Sequence, residues 1–461
     1  MEPILAEIFS RKKLAASRLA SDPRIAQAKR LLLQAVDEHQ KGLDHVRPPD
    51  PELKLPYEKL IEAFESCRGG KLWYPYIGSG IGNGPFVELL DGSVKYDFIS
   101  GIGVHYWGHS HPDIIESSID AALSNTIMQG HLQQNADALR FSQLLLSHAK
   151  LDHCFLTTSG AMANENALKI AFQKRHPANR LLAFEKNFAG RTLAISQITD
   201  KPAYREGLPP MLEVDYLPFY DPKDPEGSTA RALKQLKGHL EAHPGKHAAM
   251  LFELVQGEAG ARPGSRAFFK ALMTPLKEEG IAIIDDEVQA FGRTPELFAF
   301  RYFGLEEFVD IVTVGKLSQV CATLFKNSWQ PKPGLLSQTF TGAAAVIRAG
   351  EVIVRTLVEE GYFGEEGKIA AFHRFFKGKL EKIAERTGKI EGPFGIGSMV
   401  AFTPYGGEHK KVMELTHRLF EAGLITFIAG ADPARVRMLL PVGAITEKEI
   451  ENVCSIIEGN L

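Results

Sequence analysis

Through the middle of the chain, short apolar runs alternate with amphipathic stretches. Candidate strands are His153–Thr157, Arg180–Phe184, Ala248–Phe252, Ile281–Ile284 and Ile311–Val314. Helical patterns separate them, for example Ala163–Lys174 and Arg266–Glu279. Continuous apolar strands spaced by helices predict a parallel or mostly parallel sheet buried on both faces. In such sheets ligands bind beyond the carboxyl ends of the strands.

The flanks read differently. Residues 1 to about 66 are helical stretches broken at Arg47-Pro-Pro-Asp-Pro51, with the character of a cover over another surface. Phe86 to Phe98 reads as a hairpin turning at Asp91-Gly92. The glycines of Gly78-Ser-Gly-Ile-Gly-Asn-Gly84 have no strand before them and no helix after, so they read as an irregular approach to the hairpin rather than a nucleotide loop. Beyond residue 342 the texture becomes helix followed by short strands. Phe372, Phe376, Leu380 and Ile383 recur there at helical spacing, as a core face does. The expected division is 1–94 as part of a small domain, 95–342 as a large ligand-binding domain, and 343–461 as the rest of the small domain.

Length and composition narrow the class. A chain of 461 residues with 44% hydrophobic and 24% charged residues fits a multidomain globular protein. A net charge of −3 offers no electrostatic case for nucleic acid or an anionic membrane. Met1-Glu-Pro-Ile4 lacks the basic and apolar regions of a secretory signal, and no run approaches the length of a membrane span. The four cysteines are scattered without metal or disulfide spacing. A cytoplasmic protein is expected.

Chemistry enters at two predicted strand ends. Asp286-Glu-Val-Gln289 closes one apolar run, and Lys316 lies thirty positions later, just past the next. A pyridoxal phosphate enzyme needs this pair. The amine condenses with the cofactor aldehyde, and the carboxylate keeps the pyridine nitrogen protonated so that the ring takes up electrons. Thr157-Thr-Ser-Gly-Ala161 lies between a strand and a helix, where Ser159 and backbone N–H groups suit a phosphate or, equally, an ordinary helix cap. Phe188 sits on the loop after the next strand and offers a ring to stack on.

Taken together these motifs resemble the class III aminotransferases, of the fold type I pyridoxal phosphate superfamily, from about residue 70 onward. The shared segments are Phe188-Ala-Gly-Arg191, Gln256-Gly-Glu258, Asp286-Glu-Val-Gln289, Gly292-Arg-Thr294, Lys316 and Thr339-Phe-Thr-Gly342. The resemblance implies an α/β fold with a mostly parallel seven-stranded sheet in the large domain and a smaller α+β domain built from both ends of the chain. It implies pyridoxal 5'-phosphate as cofactor. Asp286 would hold the pyridine nitrogen, Val288 and Phe188 the two ring faces, and Gln289 the ring hydroxyl. Ser159, Gly160 and Ala161 would hold the phosphate, with Thr339 reaching it from the partner subunit of a homodimer. Lys316, once released, would act as general base and acid.

The resemblance also assigns substrate contacts. Arg437 would bind the α-carboxylate of glutamate, with Arg435 the neighbouring arginine set aside, and Arg191 would bind a carboxylate farther from the reacting amine. Glu258 would cover Arg437 when an ω-amino substrate enters. The implied reaction moves the terminal amine of an ω-amino or diamino acid to 2-oxoglutarate, giving a semialdehyde and glutamate. The Gln319-Val-Cys321 that follows the lysine is similar to the lysine 6-aminotransferase branch and favours a lysine-like donor. Ser100-Gly-Ile-Gly-Val-His-Tyr106 is closer to the acetylornithine branch, and Ala189, Ser337, Gln338 and Ala343 depart from the usual pattern. An isomerase, racemase or decarboxylase on the same scaffold is the alternative, since fold alone does not separate them. His105, His109 and His111 cluster without an acidic or cysteine ligand and are expected to hold no metal, while His105 or Tyr106 is a candidate for the substrate entrance.

Overall fold

The computed structural model describes residues 4, 7–8, 14–124, 130 and 132–461, so the first residues of the secretory-signal reading lie outside it. The chain forms two compact units. One comprises residues 1–124, 372–393 and 400–461, and the other residues 125–371 and 394–399.

The second unit is built on a seven-stranded sheet. Its spatial order is His153–Thr157, Cys321–Phe325, Ile311–Val314, Ala282–Glu287, His247–Phe252, Arg180–Phe184 and Glu213–Leu217. Cys321–Phe325 runs antiparallel to both neighbours, whereas the pairings from Ile311–Val314 outward to Glu213–Leu217 are parallel. The expected mostly parallel sheet is present, with two strands that the apolar pattern did not single out. Glu213–Leu217 is an edge strand, and its charged Glu213 and Asp215 break the apolar run. Cys321–Phe325 is fully buried but short, and it follows Lys316 with only a tight turn between. Helices cover the sheet, among them Gly160–Arg175 and Arg266–Glu278. Every residue of His247–Phe252, Ala282–Glu287 and Ile311–Val314 is buried, as a central strand covered on both faces requires.

In the first unit Phe86–Leu89 and Val94–Asp97 form the expected hairpin, and Asp91 caps its turn by accepting from Ser93 N–H at 2.9 Å. The glycine-rich segment differs from the expectation of an irregular approach. Gly78–Asn83 is a third strand, paired antiparallel to Phe86–Leu89 across a bulge. A Cβ on Gly82 would collide with the Phe86 carbonyl and with His109, so close backbone approach accounts for a glycine there. In helix Lys368–Thr387, Phe376, Leu380 and Ile383 are buried and Phe372 is half-buried, in line with the predicted core face. His109 is tied to Asp97 at 3.0 Å and its ring stacks on His105. Tyr106 is fully buried. Among the described residues no helix is long and apolar enough to cross a membrane.

Candidate active site

Strand Ala282–Glu287 carries three consecutive acids on two faces, because successive side chains alternate. Asp285 and Glu287 share one face. Glu287 accepts N–H groups from Ala299 and Phe300 at 2.8 and 2.9 Å, fixing the chain that follows. Burial raises both of these carboxyls above the ordinary range, and the Glu287 charge adds to the rise at Asp285, whereas the hydrogen bonds to Glu287 pull its carboxyl the other way.

Asp286 faces the other way. It accepts from the Asn164 amide at 2.7 Å and from Val288 N–H at 3.0 Å. Asn164 is itself fixed, donating to the Ala189 carbonyl at 2.9 Å and accepting from the Thr313 hydroxyl at 2.7 Å. Burial pushes the Asp286 carboxyl up to about 6, while these hydrogen bonds and the Lys316 ammonium pull the other way. The register explains the proximity. Asp286 pairs with Thr313 on the adjacent parallel strand, and Lys316 follows three residues later. Lys316 is half-buried in a tight turn with φ at 54°, a left-handed conformation uncommon for a non-glycine residue. Its backbone N–H faces Cys321 Sγ, a thiol that burial pushes up to about 11 and so keeps inert.

The pair is flanked by a helix N-terminus and by glycines packed against Val288 and Gln289. Ser159 caps helix Gly160–Arg175, accepting from Met162 N–H at 3.2 Å, and the first-turn amides after it have no partner within the helix. A Cβ on Gly160 would lie 2.6 Å from Val288, and one on Gly315 would lie 3.1 Å from it, so Val288 packs closely against both glycine backbones. A Cβ on Gly257 would collide with the Gln289 amide. Phe188 is half-buried and Thr339 is exposed, beside Gln338, which accepts the Thr157 hydroxyl at 2.7 Å. A primary amine, a buried carboxylate ready for a cationic N–H, a helix N-terminus and an aromatic ring fit pyridoxal 5'-phosphate.

Sequence reasoning missed Glu253, just past strand His247–Phe252. Its carboxyl accepts Phe188 N–H at 3.1 Å and Gly257 N–H at 3.0 Å, tying together the two loops that carry Arg191 and Glu258. Burial and the nearby Asp286 push this carboxyl up to about 8. Its position directly before Leu254-Val-Gln-Gly-Glu258 was the available signal, but no periodicity marks it.

Arg191 is exposed, with its guanidinium 4.0 Å from the centre of the Tyr204 ring. Glu258 forms an ion pair with Lys201 at 3.8 Å. Lys201 and Tyr204 had not been singled out, since ten or more residues separate them from Arg191. Arg437 lies in the first unit, fully buried on strand Arg435–Leu439 with its guanidinium 6.0 Å from the Phe427 ring, while Arg435 is half-buried.

Residues 79–461 match the family model described as aminotransferase class-III. An acetylornithine aminotransferase of Bradyrhizobium diazoefficiens is 30% identical over 394 residues, covering 82% of this chain and 90% of its own. The Bacillus subtilis acetylornithine aminotransferase is 31% identical, covering 81% of this chain and 91% of its own. The fold is similar to that of a solved lysine aminotransferase from M. tuberculosis, with a TM-score of 0.78 at 22% identity, covering 87% of this chain and 99% of that one.

Proposed function

Because the chain belongs to the class III aminotransferases and works with pyridoxal 5'-phosphate, we propose that it moves the terminal amine of an ω-amino or diamino acid to 2-oxoglutarate. The observation that carries this reading is the group Arg191, Tyr204, Lys201 and Glu258, which offers a carboxylate-binding site on loops clamped to the cofactor-side residues through Glu253. The Gln319-Val-Cys321 segment favours a lysine-like donor. The curated relatives are named for acetylornithine and add that compound as a second candidate.

In this reading the cofactor supplies an aldehyde to receive the amine and a ring to take up electrons. Lys316 moves a proton at the reacting carbon, helped by its half-burial and its place opposite Asp286. Asp286, oriented by Asn164 and Val288 N–H, keeps the ring nitrogen protonated. Phe188 and Val288 flank the ring, Gln289 meets its hydroxyl, and Ser159, Gly160 and Ala161 receive the phosphate. Arg191 grips the donor carboxylate remote from the reacting amine. Thr339 is exposed in the single chain, which supports its reaching the phosphate of a partner subunit in a two-fold dimer.

The test is the absorbance of the purified, cofactor-loaded enzyme as single amines are added without a keto acid. Lysine or acetylornithine should convert the bound cofactor to its amine form, and 2-oxoglutarate should restore it. A cofactor band that neither these donors, ornithine, 4-aminobutyrate nor glutamate changes would contradict the proposal.

A further inference from the structure

Three segments carry charged or aromatic groups that meet beyond the ends of the central strands. Thr199 fixes the first two to each other. Its hydroxyl accepts Ala189 N–H at 3.0 Å and donates to the Gly190 carbonyl at 2.8 Å, and Asp200 N–H donates to the Asn187 carbonyl at 2.9 Å. The chain then makes a 3-10 turn at Pro202–Tyr204, closed by Tyr204 N–H donating to the Lys201 carbonyl at 2.9 Å. This turn holds the Lys201 ammonium 5.1 Å from the centre of the Tyr204 ring, the same ring that carries Arg191. Glu253 fixes the third segment, bearing Glu258, to the loop of Arg191. Side chains on separately anchored backbones thus converge.

The charges have a consequence for a carboxylate arriving at Arg191. Glu258 would repel it. Lys201 pairs with Glu258 at 3.8 Å, with the two side chains 29% and 15% exposed, a setting in which water screens the interaction only partly. With Lys201 present the group of two cations and one carboxylate keeps one net positive charge, the complement of a single carboxylate. Without it that net positive charge is lost.

We propose that Lys201 is a specificity-determining residue that neutralises Glu258, so that Arg191 accepts the substrate carboxylate remote from the reacting amine. This rests on the proposed use of Arg191. Lys201 does not take part in proton transfer, so its effect falls on binding and not on the chemical step.

Single-turnover reaction of the cofactor-loaded enzyme with glutamate, together with binding of the unreactive dicarboxylate glutarate by calorimetry, tests this at low salt. Lys201→Met should weaken the apparent affinity for both by roughly fivefold, with the limiting rate within about twofold of wild type. Lys201→Arg should bind nearly as wild type, and Glu258→Gln added to Lys201→Met should recover most of the lost glutarate affinity. Arg191→Ala, run in parallel, separates the two levels of the argument. If Arg191→Ala weakens glutarate binding and Lys201→Met does not, the role of Lys201 is overturned and that of Arg191 stands. If neither variant changes binding, the use of Arg191 is overturned as well. A Lys201→Met loss that the added Glu258→Gln leaves uncorrected would also overturn the neutralising role.

Discussion

The Asp286–Lys316 region and the Arg191–Lys201–Tyr204–Glu258 region use charge in opposite ways. In the first the carboxylate is buried and held by a neutral amide and a backbone N–H, with the half-buried Lys316 ammonium close by in the turn just past the next strand. Burial there shifts protonation, which is what proton transfer needs. The second is partly exposed and pairs formal charges directly. Water weakens such pairs, so they discriminate between substrates by modest factors and do not alter reactivity. Strands and their immediate ends build the chemical region, and anchored loops build the recognition region.

The sharpest way to break this contrast is to remove the amine. Lys316→Ala should reduce amino transfer by about 10³-fold or more, measured by product formation with glutamate as donor. A loss of tenfold or less would mean that the chemistry lies elsewhere. Asp286→Asn keeps the shape of the side chain and removes its charge. It should lower the rate by roughly 10²-fold and weaken cofactor retention, read by dialysis and absorbance.

The buried acids also make pH predictions with a fixed sign. Asp286, with its carboxyl near 6, must ionise to pair with a protonated ring nitrogen, so cofactor affinity should fall as pH drops from about 7 to 5. For Glu253 the folded value, about 8, lies above the ordinary 4.5, so the folded chain binds the extra proton between these limits. Its contribution to stability is therefore fully present below about 4.5 and is lost as pH rises through about 8. Glu253→Gln should flatten the fall in melting temperature of the cofactor-free protein over that window. An unchanged slope would place the titration on another group.

The smallest effect belongs to the recognition region. Tyr204→Leu removes a cation–π contact worth about 0.5–1 kcal/mol at an exposed site, so KM for a donor with a remote carboxylate should rise by roughly two- to fivefold.

The same contrast explains what could be read from the sequence. The apolar strands and the Asp286–Lys316 pair were legible because burial leaves a continuous hydrophobic run and the reacting groups stand at its end. Strand Glu213–Leu217 was not, since an edge position tolerates Glu213 and Asp215. Gly78–Asn83 was misjudged because Gly82 answers to the close approach of the Phe86 carbonyl and of His109, which no local pattern shows. Glu253, Lys201 and Tyr204 act through partners that only the folded chain brings near, so no local pattern announced them. Arg191 and Glu258 were found through resemblance, whereas the Lys201 pairing of Glu258 emerged from geometry alone.

The most direct test of the central claim is to trap the cofactor on the loaded enzyme with borohydride and map the modified peptide by mass spectrometry. The account predicts a single reduced pyridoxyl group on Lys316. Modification of another lysine, with Lys316 unlabelled, would contradict it.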